Sequence, residues 1–195
     1  MLGILGKKIG MTRIIQDDGR VIPITQLICS PNKVVQVKTT ERDGYPAVVL
    51  GFDAYSRPGK NKQFKFLREF RTEAGVSFEK GKEITLEDLK EIKFVRLAAI
   101  SKGKGFQGVV KRHKFSRGPE THGSHHHREP GSASGNRSGG GRIKPGKRYP
   151  GHMGFDVITL KRVRVISVDL EKNILSIKGP VPGARNTYVT IRAVE

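Results

Sequence analysis

The chain has 195 residues, 35% of them hydrophobic, and its 37 Lys and Arg against 18 Asp and Glu give a formal net charge of +19. That length holds one good core with an appendage, and a charge so large repels itself unless a polyanion neutralises it, which puts nucleic acid first among partners and an anionic membrane surface second. No run approaches the roughly 20 apolar residues of a membrane span, and Lys7 and Lys8 follow the opening apolar patch rather than precede it, the wrong order for a secretory leader.

In chain order, the first β-branched runs are 20–28 (RVIPITQLI) and 33–39 (KVVQVKT), separated by the turn signal CSPN. The single cysteine, Cys29, lies in this apolar region. It excludes an intrachain disulfide, fits a reducing cytoplasm, and reads as a small buried hydrophobe. A third strand is predicted over 45–52 (YPAVVLGF), entered from RDGY, and Pro58 and Gly59 then break the pattern. Over 83–92, Thr85 with Asp88 three residues on predicts a capped helix of two or three turns. The run 94–100 (FVRLAAI) predicts another strand. Pattern returns at 157: VITLKRVRVISVD and ILSIK flank LEKN, a hairpin, and NTYVTIRAV closes the chain as a last strand after GPVPGARN. Many short strands with regular turn signals predict a mainly β fold, a barrel, carrying a minor helical insert at about 55–93. The globular domain comprises 1–100 and 155–195.

Residues 101–154 interrupt it. They carry Lys102, Lys104, Lys111, Arg112, Lys114, Arg117, Arg128, Arg137, Arg142, Lys144, Lys147 and Arg148 against only Glu120 and Glu129, together with 13 glycines and all six histidines. An irregular insert of this length is either functional or disordered, and its charge names a polyanion as partner. The predicted contacts are those cations with His113, His122, His125, His126, His127 and His152. No zinc site is expected, because consecutive side chains in the His125–His127 run point in different directions and no structural zinc spacing occurs. Near phosphate, histidine can instead donate a hydrogen bond or stack on an unpaired base.

Gly103, Gly105 and Gly108 form a formal G-x-G-x-x-G after a predicted strand. A dinucleotide fold needs a helix next, yet Gly118 and Pro119 end any helix early, and Glu129 stands in REPGS rather than at a strand end. The glycines are read as backbone that approaches phosphates closely, with no cofactor. Phe106, Phe115 and Tyr149 either anchor the segment or stack on bases. No catalytic constellation has recognisable context, so no enzyme is expected. Ordering costs about 1–2 kcal/mol per residue fixed, so the segment is expected to order only on its partner. A DNA-architectural protein would share the charge and the flexible segment, and a nucleotide-dependent RNA-modifying enzyme would share the glycine block.

Five blocks carry a resemblance: LGKKIGMTRI at the amino end, SKGKGFQGVVKRHKF, THGSHHHREPGS, GHMG, and LKRVRVISVDLEKNILSIKGPVPGARN over 160–186. In this order they make the chain similar to the universal large-subunit ribosomal protein L three family in its bacterial form. The resemblance runs from Leu2 to about Ile191. It implies a translation-factor-like β-barrel, an arm reaching into rRNA toward the peptidyl transferase centre, and binding near the 3′ end of 23S rRNA early in assembly. It further implies contacts with ribosomal proteins L fourteen and L nineteen, and a cytoplasmic location in the large subunit. No membrane or disulfide partner is implied. On the barrel, Lys7, Lys8, Arg13, Lys161, Arg162 and Arg164 are candidate rRNA contacts. Two departures stand out. Arg96 lies where the family usually has Asp or Asn, and Ser138 lies near a glutamine that many members carry methylated, so no such methylation is expected here.

Overall fold

Glycines shape the first strand, β1 (Gly3–Ile15), by leaving room that side chains from elsewhere fill. A Cβ on Gly3 would lie 2.0 Å from the Phe70 ring, and one on Gly6 would lie 2.7 Å from Cys29 Sγ. Ile4 and Leu5 point to opposite faces, as the two-residue period of a strand requires. Each joins a different buried cluster, Ile4 with Leu27, Leu97, Leu175 and Ile191, and Leu5 with Val34, Leu50 and Phe70. β1 is therefore buried on both faces at its start and holds two cores together.

The computed structural model describes residues 3–57, 59, 62–72, 78–132 and 143–194. After β1 come β2 (Val21–Ile28), β3 (Asn32–Lys38), one helical turn α1 (Thr40–Asp43), β4 (Ala47–Ala54), β5 (Phe64–Arg71), β6 (Glu83–Ile84) and β7 (Phe94–Ile100). The remaining elements are β8 (Phe106–Gln107), α2 (Val109–His113), β9 (Gly151–His152), β10 (Val157–Asp169), β11 (Ile174–Lys178) and β12 (Tyr188–Val194). The chain divides into a unit of 1–101 with 157–195 and a unit of 102–156.

In the larger unit, antiparallel ladders run β1 to β12, β12 to β7, β7 to β10, β10 to β11, β11 to β2, and β2 back to β1. The six-stranded sheet thus closes on itself and leaves no free edge. Register shifts at Lys8/Gly10, Leu160/Val163 and Val165/Ser167 supply the bends that closure needs. β7 shows the pattern plainly: Val95, Leu97 and Ala99 are buried inside the ring while Arg96 is exposed. A second sheet, ordered β5-β4-β3-β6, packs Val34, Val48, Leu50 and Phe70 into the other cluster. Ile100 and Val157 are register partners, so the 102–156 segment leaves and returns at one point of the ring.

The predicted strands at 20–28, 33–39, 45–52, 94–100, 157–169 and 174–178 and the last strand are all present. The LEKN hairpin turns at Asn173, whose φ of 54° is the left-handed value that asparagine tolerates. The helical insert is corrected in two places. Phe64–Arg71 is a strand paired with β4 across its whole length. Over 83–92 the predicted helix is replaced by Glu83–Ile84, which pairs with β3, and a single 3₁₀ turn over Leu86–Leu89. Thr85 makes no side-chain cap hydrogen bond. Leu86 and Leu89 are both buried. A three-residue spacing serves a 3₁₀ turn as well as an α-helix, and the ladder to Asn32 takes the residues that a longer helix would need. Among the described residues no helix is long and apolar enough to cross a membrane.

Candidate nucleic-acid interface

The 102–156 unit has little apolar content, yet its described residues are tied by hydrogen bonds. β8 and β9 pair antiparallel, Phe106 opposite His152. Lys104 N donates to Met153 O at 2.9 Å and Met153 N to Gly105 O at 3.0 Å, extending the ribbon. α2 buries Val109 and ends at Lys114, whose φ of 59° stops it. From α2, Arg112 Nη1 donates to the Tyr149 carbonyl at 2.8 Å, and His113 Nε2 lies 3.1 Å from the same oxygen. Further on, Gly118 N donates to His127 O at 3.0 Å. A Cβ on Gly118 would stand 2.3 Å from His126 O, so no other residue fits that crossing.

This framework sorts the predicted contacts. Lys102, Lys104, Lys111, Lys114, Arg117, Arg128, Lys144, Lys147 and Arg148 are exposed, as are His122, His125, His126 and His152. Arg112, His113 and His127 are half-buried. Two of the unit's carboxylates are engaged with neighbouring side chains: Glu120 with Arg117 Nη1 at 2.8 Å, and Glu129 with His126 Nδ1. Lys147 donates to the Ser132 carbonyl. Arg137, Arg142 and Ser138 lie outside the described residues. Of the three motif glycines, only Gly105 has a left-handed backbone, with φ of 65°, and a Cβ on any of them would meet nothing within 4 Å. Like Gly118, Gly154 is a glycine the chain itself requires: φ is 80° and a Cβ would lie 2.2 Å from Lys102 O.

The aromatics divide as well. Phe106 is 76% exposed, open for a base to stack on, whereas Phe115 and Tyr149 are half-buried. Tyr149 Oη and His127 Nδ1 are buried without a hydrogen-bond partner among the described residues. Phe155, 68% exposed at a φ of 59°, was missed from the sequence because it falls just past the basic segment's boundary at 154 and before the predicted strand from 157. Its neighbour Gly154 was the available signal for a turn. Among the described residues no three His, Cys, Asp or Glu side chains gather where they could hold a metal ion.

On the larger unit, Arg13, Lys161, Arg162 and Arg164 are exposed, and the Arg162 guanidinium lies 4.0 Å over the Phe94 ring. Lys8 corrects the expectation. It is buried, and its Nζ donates to the carbonyls of Val181 at 2.6 Å and Gly183 at 3.3 Å, so it ties the β11–β12 connection to β1 instead of facing outward. Lys7 lies 3.7 Å from Asp53. That carboxylate also accepts from Tyr188 Oη at 2.9 Å and Lys65 Nζ at 3.1 Å. Burial pushes Asp53 up, but these hydrogen bonds and the charges of Lys65 and Lys7 outweigh it and hold the carboxyl below its ordinary value. Burial and the bond to Asp53 push the Tyr188 phenol up to about 12. Cys29 is buried and free, its thiol pushed up to about 12 by burial, which makes it an unreactive packing group.

The stretch that includes β7, the whole 102–156 unit and β10 also carries the family signal. Residues 73–170 match the family model described as Ribosomal protein L3. The large ribosomal subunit protein uL3 of Oceanobacillus iheyensis is 44% identical over an alignment of 206 positions, which covers 97% of this chain and 95% of that protein. The chain belongs to the ribosomal protein L3 family. Proteins of the same name from Halalkalibacterium halodurans and Lactobacillus delbrueckii subsp. bulgaricus are 43% and 42% identical, each over 98% of this chain and 96% of their own length. Family likeness therefore extends over the strands and the basic segment alike.

Proposed function

We propose that the chain is a structural constituent of the large ribosomal subunit that binds 23S rRNA, and that it catalyses no reaction. Membership of the ribosomal protein L3 family supports the subunit assignment, and with it a place in the cytoplasmic ribosome. The observation that carries the RNA reading is the 102–156 unit. Its exposed lysines and arginines far outnumber its acids, Glu120, Glu129 and Asp156, the first two of which are engaged locally. Phosphate contacts of this kind position a protein on nucleic acid, and exposed Phe106 adds a stacking surface for an unpaired base.

The finer reading follows the family resemblance. The closed six-stranded sheet is a translation-factor-like β-barrel that docks near the 3′ end of 23S rRNA and helps nucleate assembly. The 102–156 segment is an arm that threads between rRNA helices toward the peptidyl transferase centre. Ribosomal proteins L fourteen and L nineteen are its protein neighbours. Its exposed cations neutralise crowded phosphates along the way. Ultraviolet cross-linking in assembled large subunits tests this. Cross-linked peptides from 102–132 and 143–156, joined to 23S rRNA, are expected. Incorporation with cross-links confined to the strands would overturn the role given to the arm.

A further inference from the structure

Arg96 and Arg192 stand directly opposite each other in the β7–β12 ladder, and both are exposed. Opposite positions bring Cβ atoms within about 5 Å, and like charges there destabilise a sheet. Arg68, from β5, joins them around a surface depression of about 260 Å³ whose wall is completed by Thr159, Thr190 and Ala98. Three arginines thus line one depression.

Glu69 also borders the depression, but its carboxylate accepts from Lys38 Nζ, which with Tyr45 holds it below its ordinary value. Among the described residues no carboxylate lies within ion-pair distance of Arg68, Arg96 or Arg192. Two of the three are also held in place. The Arg192 guanidinium sits 5.3 Å over the Phe70 ring and that of Arg68 5.0 Å over the Phe66 ring. Phe70 is buried in the second core, and Phe66 stacks on Tyr188 at 4.7 Å and 10°. Such support leaves less side-chain freedom to lose when an anion binds.

We propose that this three-arginine depression binds backbone phosphate of RNA, giving the larger unit a phosphate contact separate from those of the 102–156 segment. The inference rests on the RNA-binding reading above. Guanidinium forks match phosphate oxygens two at a time, and the Thr159 and Thr190 hydroxyls are further donors at the same wall. An acidic protein segment fits less well. A protein partner needs an apolar or aromatic anchor at the centre of its contact, and among the described residues Ala98 is the only apolar one lining the depression.

The test uses the full chain, the double substitution R96Q/R192Q, and a fragment of large-subunit rRNA titrated with salt. The double variant is expected to bind about tenfold more weakly at moderate salt, with the slope of log K against log salt reduced by about one to two. It should melt at the same temperature as the unsubstituted chain or slightly above it at low salt, because the cross-strand repulsion is relieved. Should it melt lower, R68Q carries the same test, with a slope reduction of about one. Full RNA affinity and an unchanged slope in folded variants, while the unsubstituted chain binds, would overturn this inference alone. Failure of the unsubstituted chain to bind rRNA would take the RNA reading with it. A loss confined to polyglutamate, with RNA binding intact, would reassign the depression to an acidic protein and equally overturn it.

Discussion

Arg112 Nη1 and His113 Nε2 converge on one acceptor, the Tyr149 carbonyl, at 2.8 and 3.1 Å. Two residues of the basic segment that sequence assigns to RNA therefore also hold the segment's own two limbs together. The guanidinium lies so close to Gly151 that a Cβ there would sit 2.6 Å from Nη1. Both R112A and G151A should release this tie. Amide exchange at Lys104 and Met153, which close the adjoining ribbon, is expected to quicken in each variant. Exchange rates equal to those of the unsubstituted chain would show that the tie supports nothing.

The glycines separate by what they are for. G154A forces a Cβ onto Lys102 O at a left-handed backbone, so it should disrupt the ribbon in the free protein. G103A meets nothing in the chain and has no such backbone demand. It should leave amide exchange unchanged and weaken only RNA binding, by several fold, if phosphates approach this backbone. RNA binding unaffected by G103A would remove Gly103 from the interface.

Lys8 is a structural lysine. K8M removes a buried donor and leaves the Val181 and Gly183 carbonyls short of a partner. A loss of about 1–3 kcal/mol in urea unfolding is expected, with the salt slope of RNA binding unchanged. A reduced slope with full stability would return Lys8 to the RNA-binding set.

The sequence could not distinguish Lys7 from Lys8. Both stand in LGKKIG; strand alternation sends them to opposite faces, and nothing in that dipeptide says which face is buried. β1 itself was hard to read, because Gly3 and Gly6 erase the alternation that marks a strand, and their purpose lies in Phe70 and Cys29 far along the chain. β7, β10 and β11 were legible because each alternates or runs apolar between clear turns. β5 was hidden behind the Pro58–Gly59 break and by a polar face rich in charge, although Phe64, Phe66 and Phe70 keep an even spacing. In the basic segment, composition named the kind of partner. Which cations point outward depends on hydrogen bonds such as that from Arg112 to Tyr149, which no periodicity encodes.

Asp53 gives the larger unit a pH dependence with a definite sign. Its carboxyl is held below the ordinary aspartate value of about 3.9, so its contribution is complete above that value and is lost as pH falls through the folded one. D53N suits the local φ of 56°, which asparagine adopts as readily. Its deficit relative to the unsubstituted chain, about 1 kcal/mol at pH 7, should shrink below about pH 4. Tyr188, pushed up to about 12, contributes below the ordinary tyrosine value near 10, and that contribution disappears as pH rises past it toward 12. Thermal melts of both proteins across pH check both limbs, and a deficit constant with pH would contradict the charge-based account.

The most direct test of the central claim is a salt-titrated binding measurement against the 3′ region of large-subunit rRNA, with equal-length duplex DNA as competitor. It compares the full chain with a version in which a short turn joins Ile100 to Val157, register partners in the closed sheet. The account predicts an RNA preference in both proteins and a markedly smaller salt slope in the shortened one, because the strands keep specific contacts while the 102–156 segment supplies most phosphate neutralisation. Equal affinity for RNA and DNA, with all binding lost on shortening, would leave a nonspecific basic segment and contradict it.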